Sequence, residues 1–223
     1  MNLTYSDDVI DFYDSWSGGF DGSHPIITCD NELMEKALSK ISGRVLEVGA
    51  GTGRVSTKLL KQGVSSLDII EPALGMVEQL NKKSLNESAN IICEKFEDWD
   101  PSDDNKYDAI VCAQILDHVC DIDQWFHKLS SLLKVDGMLL ISVVNPYFQR
   151  HVMGTKVHNG RTTIDAVIHP ISSLFATWNQ HNLILDDLYE YALMNRDITG
   201  SNTELFNDGD MPVIAYLLRK KNG

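Results

Sequence analysis

Short apolar runs alternate with helical patterns through the middle of the chain. The runs that predict strands are residues 44–48, 67–70, 91–93, 107–113 and 138–144. Between most of them, apolar residues recur at helical spacing, as in residues 55–60, 74–80 and 122–133. Uninterrupted apolar strands suit a parallel sheet that is covered on both faces. The pattern therefore predicts an α/β fold built on an open, doubly wound sheet.

Both ends of the chain depart from this alternation. Residues 1–41 predict two helices around a glycine-rich loop, and residues 146–170 form an insertion that breaks the rhythm. A helix near 171–181 and two strands then close the chain. Because a domain typically holds ~100–200 residues, we predict a single domain. Its parts are a helical segment (1–41), a core (42–145), the insertion (146–170) and a C-terminal part (171–223).

The overall charge narrows the range of partners. The 223 residues include 19 Lys and Arg against 32 Asp and Glu, which gives a formal net charge of −13. This charge argues against duplex nucleic acid and against an anionic membrane surface as partners. No apolar stretch approaches the ~20 residues of a membrane span. We expect a small-molecule partner, with no nucleic-acid or membrane partner, and the oligomeric state stays open.

The cysteines and the N-terminus bear on localisation. The four cysteines lack C-x-x-C spacing, and the first residues are acidic where a signal peptide would be basic and then apolar. Scattered thiols suit a reducing compartment. No group of His, Cys, Asp and Glu has the spacing of metal ligands. These features predict a cytoplasmic protein without a metal ion.

The most informative stretch is Val45-Leu-Glu-Val-Gly-Ala-Gly-Thr-Gly53. Its glycines follow a predicted strand and precede a helix, where a doubly wound sheet binds nucleotides against bare backbone. The spacing G-x-G-x-G is one residue tighter than the dinucleotide pattern. Glu47 adds an acid where a pyrophosphate would be repelled. Both departures favour a ligand with an adenosine and an ammonium group but no phosphate.

An acid at the end of the second predicted strand agrees with this interpretation. Glu71 lies 22 positions after Gly49 (71 − 49), close to the spacing of acids that accept hydrogen bonds from ribose hydroxyls. The alternative is that Glu71 caps the following helix, which opens with Pro72. Together with the glycine loop, the spacing favours the ribose role.

These residues resemble the class I S-adenosylmethionine-dependent methyltransferases, in particular the small-molecule branch that includes the ubiquinone-biosynthesis type. The resemblance rests on residues 45–53, 70–72, 94–99, 107–119 and 132–140. It implies S-adenosylmethionine as cofactor and a Rossmann-like sheet of seven strands with the last strand antiparallel. It also implies that residues 1–41 form a lid, that 42–145 bind the cofactor and that 146–170 cap the substrate.

The resemblance assigns cofactor-binding roles residue by residue. Glu47, the glycine backbone and Ala113 would hold the methionine end, Glu71 the ribose and Phe96 the adenine edge, while Tyr13 would close over the cofactor. The complete set is Tyr13, Glu47, Gly49, Ala50, Gly51, Gly53, Glu71, Pro72, Met76, Lys95, Phe96, Glu97, Ala113 and Gln114.

The sequence contains candidates for a catalytic base, but it does not single out one of them. Methyl transfer from a sulfonium needs alignment and a dry pocket, and a base only when the acceptor is protonated at working pH. His118 follows the fourth predicted strand, and His169 precedes the penultimate helix. Either histidine also suits a structural role.

The insertion is basic, whereas the N-terminal segment is acidic. Residues 147–163 include Arg150, Lys156 and Arg161 and no acid, while residues 1–35 contain eight acids and no Lys or Arg. The insertion could receive an anionic acceptor, such as a carboxylate, or the two segments could attract each other and form a lid. The predicted substrate contacts are Trp16, His118, Tyr147, Arg150, Lys156 and Arg161.

We therefore predict S-adenosylmethionine-dependent methyl transfer to an oxygen or nitrogen atom of a small molecule or peptide end, with a carboxylate-bearing acceptor as one possibility. A nicotinamide-dependent oxidoreductase is the first alternative, and the tight glycine spacing and Glu47 count against it. The second alternative is a non-catalytic regulatory protein of the same fold, because a fold does not fix a function.

Overall fold

A computed structural model describes residues 7–21, 24–101, 106–159, 162–194 and 203–222. The strands, in chain order, are β1 (Arg44–Val48), β2 (Ser66–Ile70), β3 (Asn90–Ile92), β4 (Tyr107–Ala113), β5 (Leu133–Val144), β6 (Lys156–His158), β7 (Thr163–Asp165), β8 (Leu183–Glu190) and β9 (Val213–Lys220). The helices are α1 (Asp7–Trp16), α2 (Pro25–Leu38), α3 (Arg54–Lys61), α4 (Leu74–Lys82), α5 (Ile122–Leu132), α6 (Pro146–Phe148) and α7 (Ile171–Gln180).

Seven of the strands form one sheet in the order β3-β2-β1-β4-β5-β9-β8. The five strands from β3 to β5 run parallel, and β9 is antiparallel to both of its neighbours. This arrangement confirms the predicted doubly wound sheet with its last strand antiparallel. The strand order reverses between β1 and β4, so a crevice opens at the carboxyl ends of these two strands.

Helices cover both faces of the sheet. On one face, Trp125 and Phe126 of α5 and Trp178 of α7 belong to a buried cluster with the sheet. On the other face, α2 and α3 contribute Leu33 and Leu59 to a second cluster. Residues of β1, β2, β4 and β5 lie in these clusters, and the half-buried Ile91 and Ile92 of β3 pack against them, which explains the uninterrupted apolar sequences of these strands.

The predicted lid of residues 1–41 is divided in the structure. Cys29, Met34 and Ala37 of α2 are fully buried in the second cluster, so α2 is a core helix. Among the described residues of this segment, Tyr13 of α1, Ile27 of α2 and Phe20 between these helices reach the crevice. Amphipathic periodicity marks an apolar face but does not say whether that face packs on a sheet or on a ligand site.

Two boundaries differ from the predictions for physical reasons. The predicted turn at Asp136–Gly137 lies within β5, where the register against β4 shifts between the pairs Tyr107–Leu133 and Ala109–Met138. Asp136 takes a positive φ of 63° there. In the insertion, α6 continues into a π-helical turn and is followed by the β6–β7 hairpin. Among the described residues, none of the helices has the length and the apolar character to cross a bilayer.

Candidate functional site

A cleft of about 640 Å³ lies at the carboxyl ends of β1, β2 and β4. Ten of the predicted site residues line it, namely Tyr13, Glu47, Gly49, Ala50, Gly51, Glu71, Met76, Ala113, Gln114 and His118. Phe20, Ile27, Thr52, Arg54, Val55 and Ile115 complete the lining. The cleft therefore gathers residues from six separate parts of the chain.

The glycine loop has a left-handed backbone conformation at its three glycines. Gly49, Gly51 and Gly53 have φ values of 71°, 54° and 86°, which side chains of L-residues rarely tolerate. A Cβ on Gly53 would also lie 2.6 Å from Cδ2 of Leu80. The N–H of Gly49 donates to the carbonyl of Ile70 over 2.8 Å, which ties the loop to the end of β2. The loop thus presents bare backbone to the cleft.

Glu47 is a buried acid at the end of β1. It is 1% exposed, and its Oε2 accepts a hydrogen bond from Ser56 Oγ over 2.6 Å. Burial is the main cause that raises the pKa of Glu47 to about 7, with the bond from Ser56 acting in the opposite direction. This carboxyl group is therefore poised to ionise when a cationic group arrives beside it.

Glu71 is held by the backbone on both sides of its carboxyl group. Oε2 accepts from the N–H of Gly51 over 2.8 Å, and Oε1 accepts from the N–H of Ala73 over 2.9 Å. Burial again raises its pKa to about 7, although both hydrogen bonds lower it. Glu71 thus satisfies an N–H at the start of α4 and also faces the cleft, so the two sequence interpretations are compatible.

A network of three polar residues was not predicted from the sequence. Asp30 of α2 is completely buried and forms an ion pair with Arg54. Its Oδ1 also accepts from Nε2 of Gln114 over 3.0 Å. Gln114 was predicted as a cofactor contact, but Asp30 and Arg54 were not. The only signal for this network in the sequence was that Asp30 lies on the apolar face of a predicted helix.

Tyr13 and His118 form a hydrogen-bonded pair in the cleft wall. The Tyr13 hydroxyl lies 2.7 Å from Nε2 of His118, and their rings meet edge to face at 5.3 Å. Burial raises the pKa of Tyr13 well above its usual value, so the hydroxyl stays protonated. Trp16 stacks on Tyr13 with ring centroids 6.2 Å apart. Helix α1 and the segment that follows β4 therefore meet at this wall of the cleft.

Helix α1 is attached to the start of α4. Oδ1 of Asp14 accepts from the N–H of Gly75 over 2.6 Å. A Cβ on Gly75 would lie 2.6 Å from Oγ of Ser17 and 3.0 Å from the carbonyl oxygen of Asp14. Because glycine leaves this space open, the end of α1 can approach α4 closely.

Several predicted cofactor contacts do not line the cleft. Gly53 and Pro72 follow Gly51 and Glu71 closely in the sequence, but they do not line the cleft themselves. Phe96 is buried in the core, and Lys95 forms an exposed ion pair with Asp7. The carbonyls of Phe96 and Glu97 accept from Nζ of Lys128 over 2.6 and 3.0 Å. The adenine contact that we predicted for residues 95–97 stays a prediction.

The predicted basic contacts to the substrate also lie outside the cleft. Tyr147 is 68% exposed and Arg150 is exposed. Lys156 forms an ion pair with Asp165 across the β6–β7 hairpin over 3.0 Å. Arg161 lies outside the described residues. In the described part of the chain, the basic residues of the insertion thus do not form a wall of the cleft.

A second cavity adjoins the cleft behind residues 115–118. It is open to solvent, its free volume of about 270 Å³ includes some of that solvent, and it is lined by Leu116, Asp117, Val143, Val144, Pro146, Gln149, Val167, His169 and Leu174. Nε2 of His169 lies 2.7 Å from the carbonyl of Val119, to which it donates. Burial lowers the pKa of His169. Among the described residues, no group of three or more His, Cys, Asp or Glu could hold a metal ion.

Comparison with known proteins extends these observations. A family model described as a methyltransferase domain matches residues 30–182. The ubiquinone biosynthesis O-methyltransferase of Hydrogenovibrio crunogenus is 26% identical over 181 residues, which cover 77% of this chain and 74% of the relative. The enzyme of the same name from Rickettsia conorii is 27% identical over 125 residues, but this match spans only 42% of its length.

Solved structures share the fold at low sequence identity. A putative S-adenosylmethionine-dependent methyltransferase from Listeria monocytogenes has a TM-score of 0.70 at 13% identity and covers 86% of this chain and all of its own. The complex of DhpI with SAH has a TM-score of 0.70 at 15% identity, with 97% of each chain covered. The [4+2]-cyclase SpnF has a TM-score of 0.64 at 17% identity, with 86% and 82% covered.

Proposed function

Since the chain belongs to the methyltransferase-domain family and has the fold of the class I S-adenosylmethionine-dependent methyltransferases, we propose that it transfers a methyl group to an oxygen or nitrogen atom of a small molecule. The single observation that carries this proposal is the pair of buried carboxyl groups beside the bare glycine backbone. A ligand with an ammonium group and two ribose hydroxyls would satisfy both of them.

The residues of the cleft fit S-adenosylmethionine in its chemical groups. Glu47 would receive the ammonium group, and Glu71 would accept from the ribose hydroxyls. Gly49 and Gly51, which lack a Cβ, allow the ligand to approach the backbone. When bound, the cofactor supplies a methyl group that is electrophilic because its sulfur is positively charged. The protein then has to align the acceptor and exclude water, which can contribute roughly 7–11 kcal/mol.

Tyr13 and His118 are the candidates for the groups nearest the transferred methyl. His118 is 5% exposed and lines the cleft. Since Tyr13 stays protonated, its hydroxyl can orient the imidazole. A neutral imidazole can accept a proton from an acceptor that arrives protonated. His169 lines the second cavity and faces a carbonyl, which favours a positioning role.

The test of this proposal is a binding comparison by isothermal titration calorimetry. We expect S-adenosylhomocysteine to bind with a Kd near the micromolar range and NADH to show no comparable affinity. Binding of NADH in preference to S-adenosylhomocysteine would instead support an oxidoreductase.

A second measurement separates a methyltransferase from a protein that uses the same fold for another reaction, as the cyclase SpnF does by its name. The protein is incubated with methyl-labelled S-adenosylmethionine and a small-molecule extract, and products are detected by mass spectrometry. Labelled methyl groups in small molecules support methyl transfer. Cofactor binding with no labelled product would contradict it.

A further inference from the structure

Asp30 of α2 is an acid inside an apolar core. Its side chain is completely buried, and Cys29, Leu33 and Met34 of the same helix belong to the second cluster. A buried carboxylate costs free energy unless it is paired and hydrogen-bonded. Even when it is paired, well-packed apolar residues often stabilise a core as much as a buried ion pair does. The presence of Asp30 therefore points to a role other than the stability of the core.

Both partners of the Asp30 carboxylate belong to the cleft. Its Oδ2 pairs with Nη2 of Arg54, and its Oδ1 accepts from Nε2 of Gln114 over 3.0 Å. Arg54 and Gln114 line the cleft, whereas Asp30 does not. Asp30 is thus connected to the ligand site through these two side chains.

Arg54 is held in one direction and keeps donors for a ligand. It is the first residue of α3, directly after the glycine loop, and its Nη1 donates to Oδ1 of Asn31 over 3.0 Å. A guanidinium carries five N–H donors in a planar fork that matches a carboxylate. Among the described residues, Asp30 and Asn31 engage two of these donors. The others can serve an anionic group in the cleft.

Gln114 has a backbone conformation that residues other than glycine rarely adopt. Its φ is 58°, and such strained residues persist where their surroundings hold them, often at ligand sites. Its N–H donates to the carbonyl of Ser142 over 2.9 Å, while Nε2 donates to Asp30 and to Oγ of Ser142. Because an ionised carboxylate only accepts hydrogen bonds, Asp30 fixes which end of the Gln114 amide faces it. The amide oxygen is left to accept from a ligand.

The buried acid Glu47 completes this end of the cleft. Burial raises the pKa of Glu47, and the nearby positive charge of Arg54 acts in the opposite direction. In the sheet, Glu47 is paired with Val111 of β4, three positions before Gln114. One carboxyl group, one amide oxygen and one guanidinium therefore line the same cleft. Together they complement a ligand group that carries an ammonium and a carboxylate on one carbon.

We propose that Asp30 is a positioning residue for the cofactor: from inside the core it fixes the Arg54 guanidinium and the Gln114 amide beside Glu47, where they receive the amino-acid group of S-adenosylmethionine. This inference rests on the proposed methyltransferase function. Arg54 binds the carboxylate, and the Gln114 oxygen shares the ammonium with Glu47. Asp30 itself does not touch the cofactor, so its loss affects ligands that carry an amino-acid group and spares those that do not.

The test compares two ligands that differ in this group. S-adenosylhomocysteine carries it, whereas 5′-methylthioadenosine keeps the adenosine and the sulfur without it. Calorimetry measures the affinity of the full chain for each ligand. Asp30→Asn keeps the size of the side chain but loses the charge that orients Arg54 and Gln114. We expect it to weaken S-adenosylhomocysteine at least about tenfold, as for a lost hydrogen bond to a charged group, and to leave 5′-methylthioadenosine unchanged.

A second variant keeps the test decisive if Asp30→Asn does not fold. Gln114→Gly removes the amide, and glycine adopts the positive φ of this position without strain. We expect the same selective loss of affinity for S-adenosylhomocysteine. Unchanged affinity for this ligand in Gln114→Gly would overturn the inference.

The control variant is Asp68→Asn, which removes an acid of β2 that pairs with Arg44 over 3.2 Å and does not line the cleft. It should leave the ratio of the two affinities unchanged. A merely structural role of Asp30 would weaken both ligands by the same factor, and that result would overturn the inference. So would an unaltered protein that binds S-adenosylhomocysteine no more tightly than 5′-methylthioadenosine. An unaltered protein that binds neither ligand would instead contradict the proposed function itself.

Discussion

At the scale of single residues, the site holds two buried acids with few partners of opposite charge. Glu47 is bonded to a serine hydroxyl, and Glu71 to two backbone N–H groups. Burial of a carboxyl group in such surroundings costs stability, and strongly shifted pKa values concentrate at functional sites. We therefore propose that a ligand with hydrogen-bond donors and positive charge binds beside these two acids.

Replacement of Glu71 with glutamine tests this interpretation. Glu71→Gln keeps the shape but loses the charged acceptor, and a hydrogen bond to a charged group contributes about 1.5–3 kcal/mol. We expect the affinity for S-adenosylhomocysteine to fall about 10- to 150-fold, measured by calorimetry. Glu78→Gln, at an exposed position of α4, is the matched control and should have no effect. Equal affinities of the two variants would rule out the ribose role.

The residues of the site differ in how far the sequence could reveal them. The glycine loop and Glu71 follow a local spacing, and both line the cleft. Asp30, Arg54 and Gln114 form a network across 84 positions of the chain, and no spacing encodes such a long-range pairing. Among the described residues, the charge asymmetry between the insertion and the N-terminal segment does not produce a basic wall, because Lys156 pairs with Asp165 of its own hairpin.

At the scale of elements, we propose that α1 is the cover of the cleft. Its Tyr13 reaches His118 beyond β4, while its Asp14 is bonded to the start of α4. The helix also buries Val9 and Phe12, but neither belongs to the two clusters on the sheet, so we expect α1 to open without disturbing those clusters. This distinguishes α1 from α2, whose apolar face is part of the core.

A Cβ at position 75 should lift α1 from the cleft. In Gly75→Ala, the added carbon would meet Oγ of Ser17 at 2.6 Å, so we expect faster hydrogen–deuterium exchange in residues 7–16. We also expect about tenfold weaker binding of S-adenosylhomocysteine, or about 1.4 kcal/mol. Gly18→Ala is the matched control, because a Cβ there would meet nothing within 4 Å. Unchanged exchange in Gly75→Ala would mean that α1 is not seated on this glycine.

The elements themselves were largely predictable, apart from their roles. Apolar runs identified the parallel strands because both of their faces are covered, as in β4, where residues 109–112 are all buried. The β6–β7 hairpin was not predicted, because its three-residue strands are too short for a periodicity to appear. The position of α2 in the core depends on tertiary packing, which its own sequence does not contain.

At the scale of the whole molecule, ionisation couples stability to ligand binding. The pKa values of Glu47 and Glu71 are raised by burial to about 7, from ordinary values near 4.5. Between these values, the folded chain keeps protons that the unfolded chain releases. The contribution of these two acids to the free energy of unfolding is therefore highest at low pH and decreases as pH rises from about 4.5 to 7.

Ligand binding should show the opposite dependence on pH. A ligand that offers an ammonium group and hydroxyl donors binds the ionised carboxyl groups. We therefore expect the affinity for S-adenosylhomocysteine to rise between pH 6 and 8, with protons released on binding below pH 7. Calorimetry in two buffers of different ionisation enthalpy measures this release. Glu47→Gln should reduce it, and a pH-independent affinity in the unaltered protein would contradict the prediction.

The insertion is hydrogen-bonded both to α1 and to the segment that follows β4. Nδ2 of Asn159 donates to Oγ of Ser15 in α1 over 3.3 Å, and the N–H of Val167 donates to the carbonyl of Asp117 over 2.7 Å. We therefore expect a displacement of α1 to reach the residues around Asp117 through the insertion. We expect ordered kinetics as a consequence: the cofactor enters first and its demethylated product leaves last, so that reopening of this joint cover limits the turnover rate.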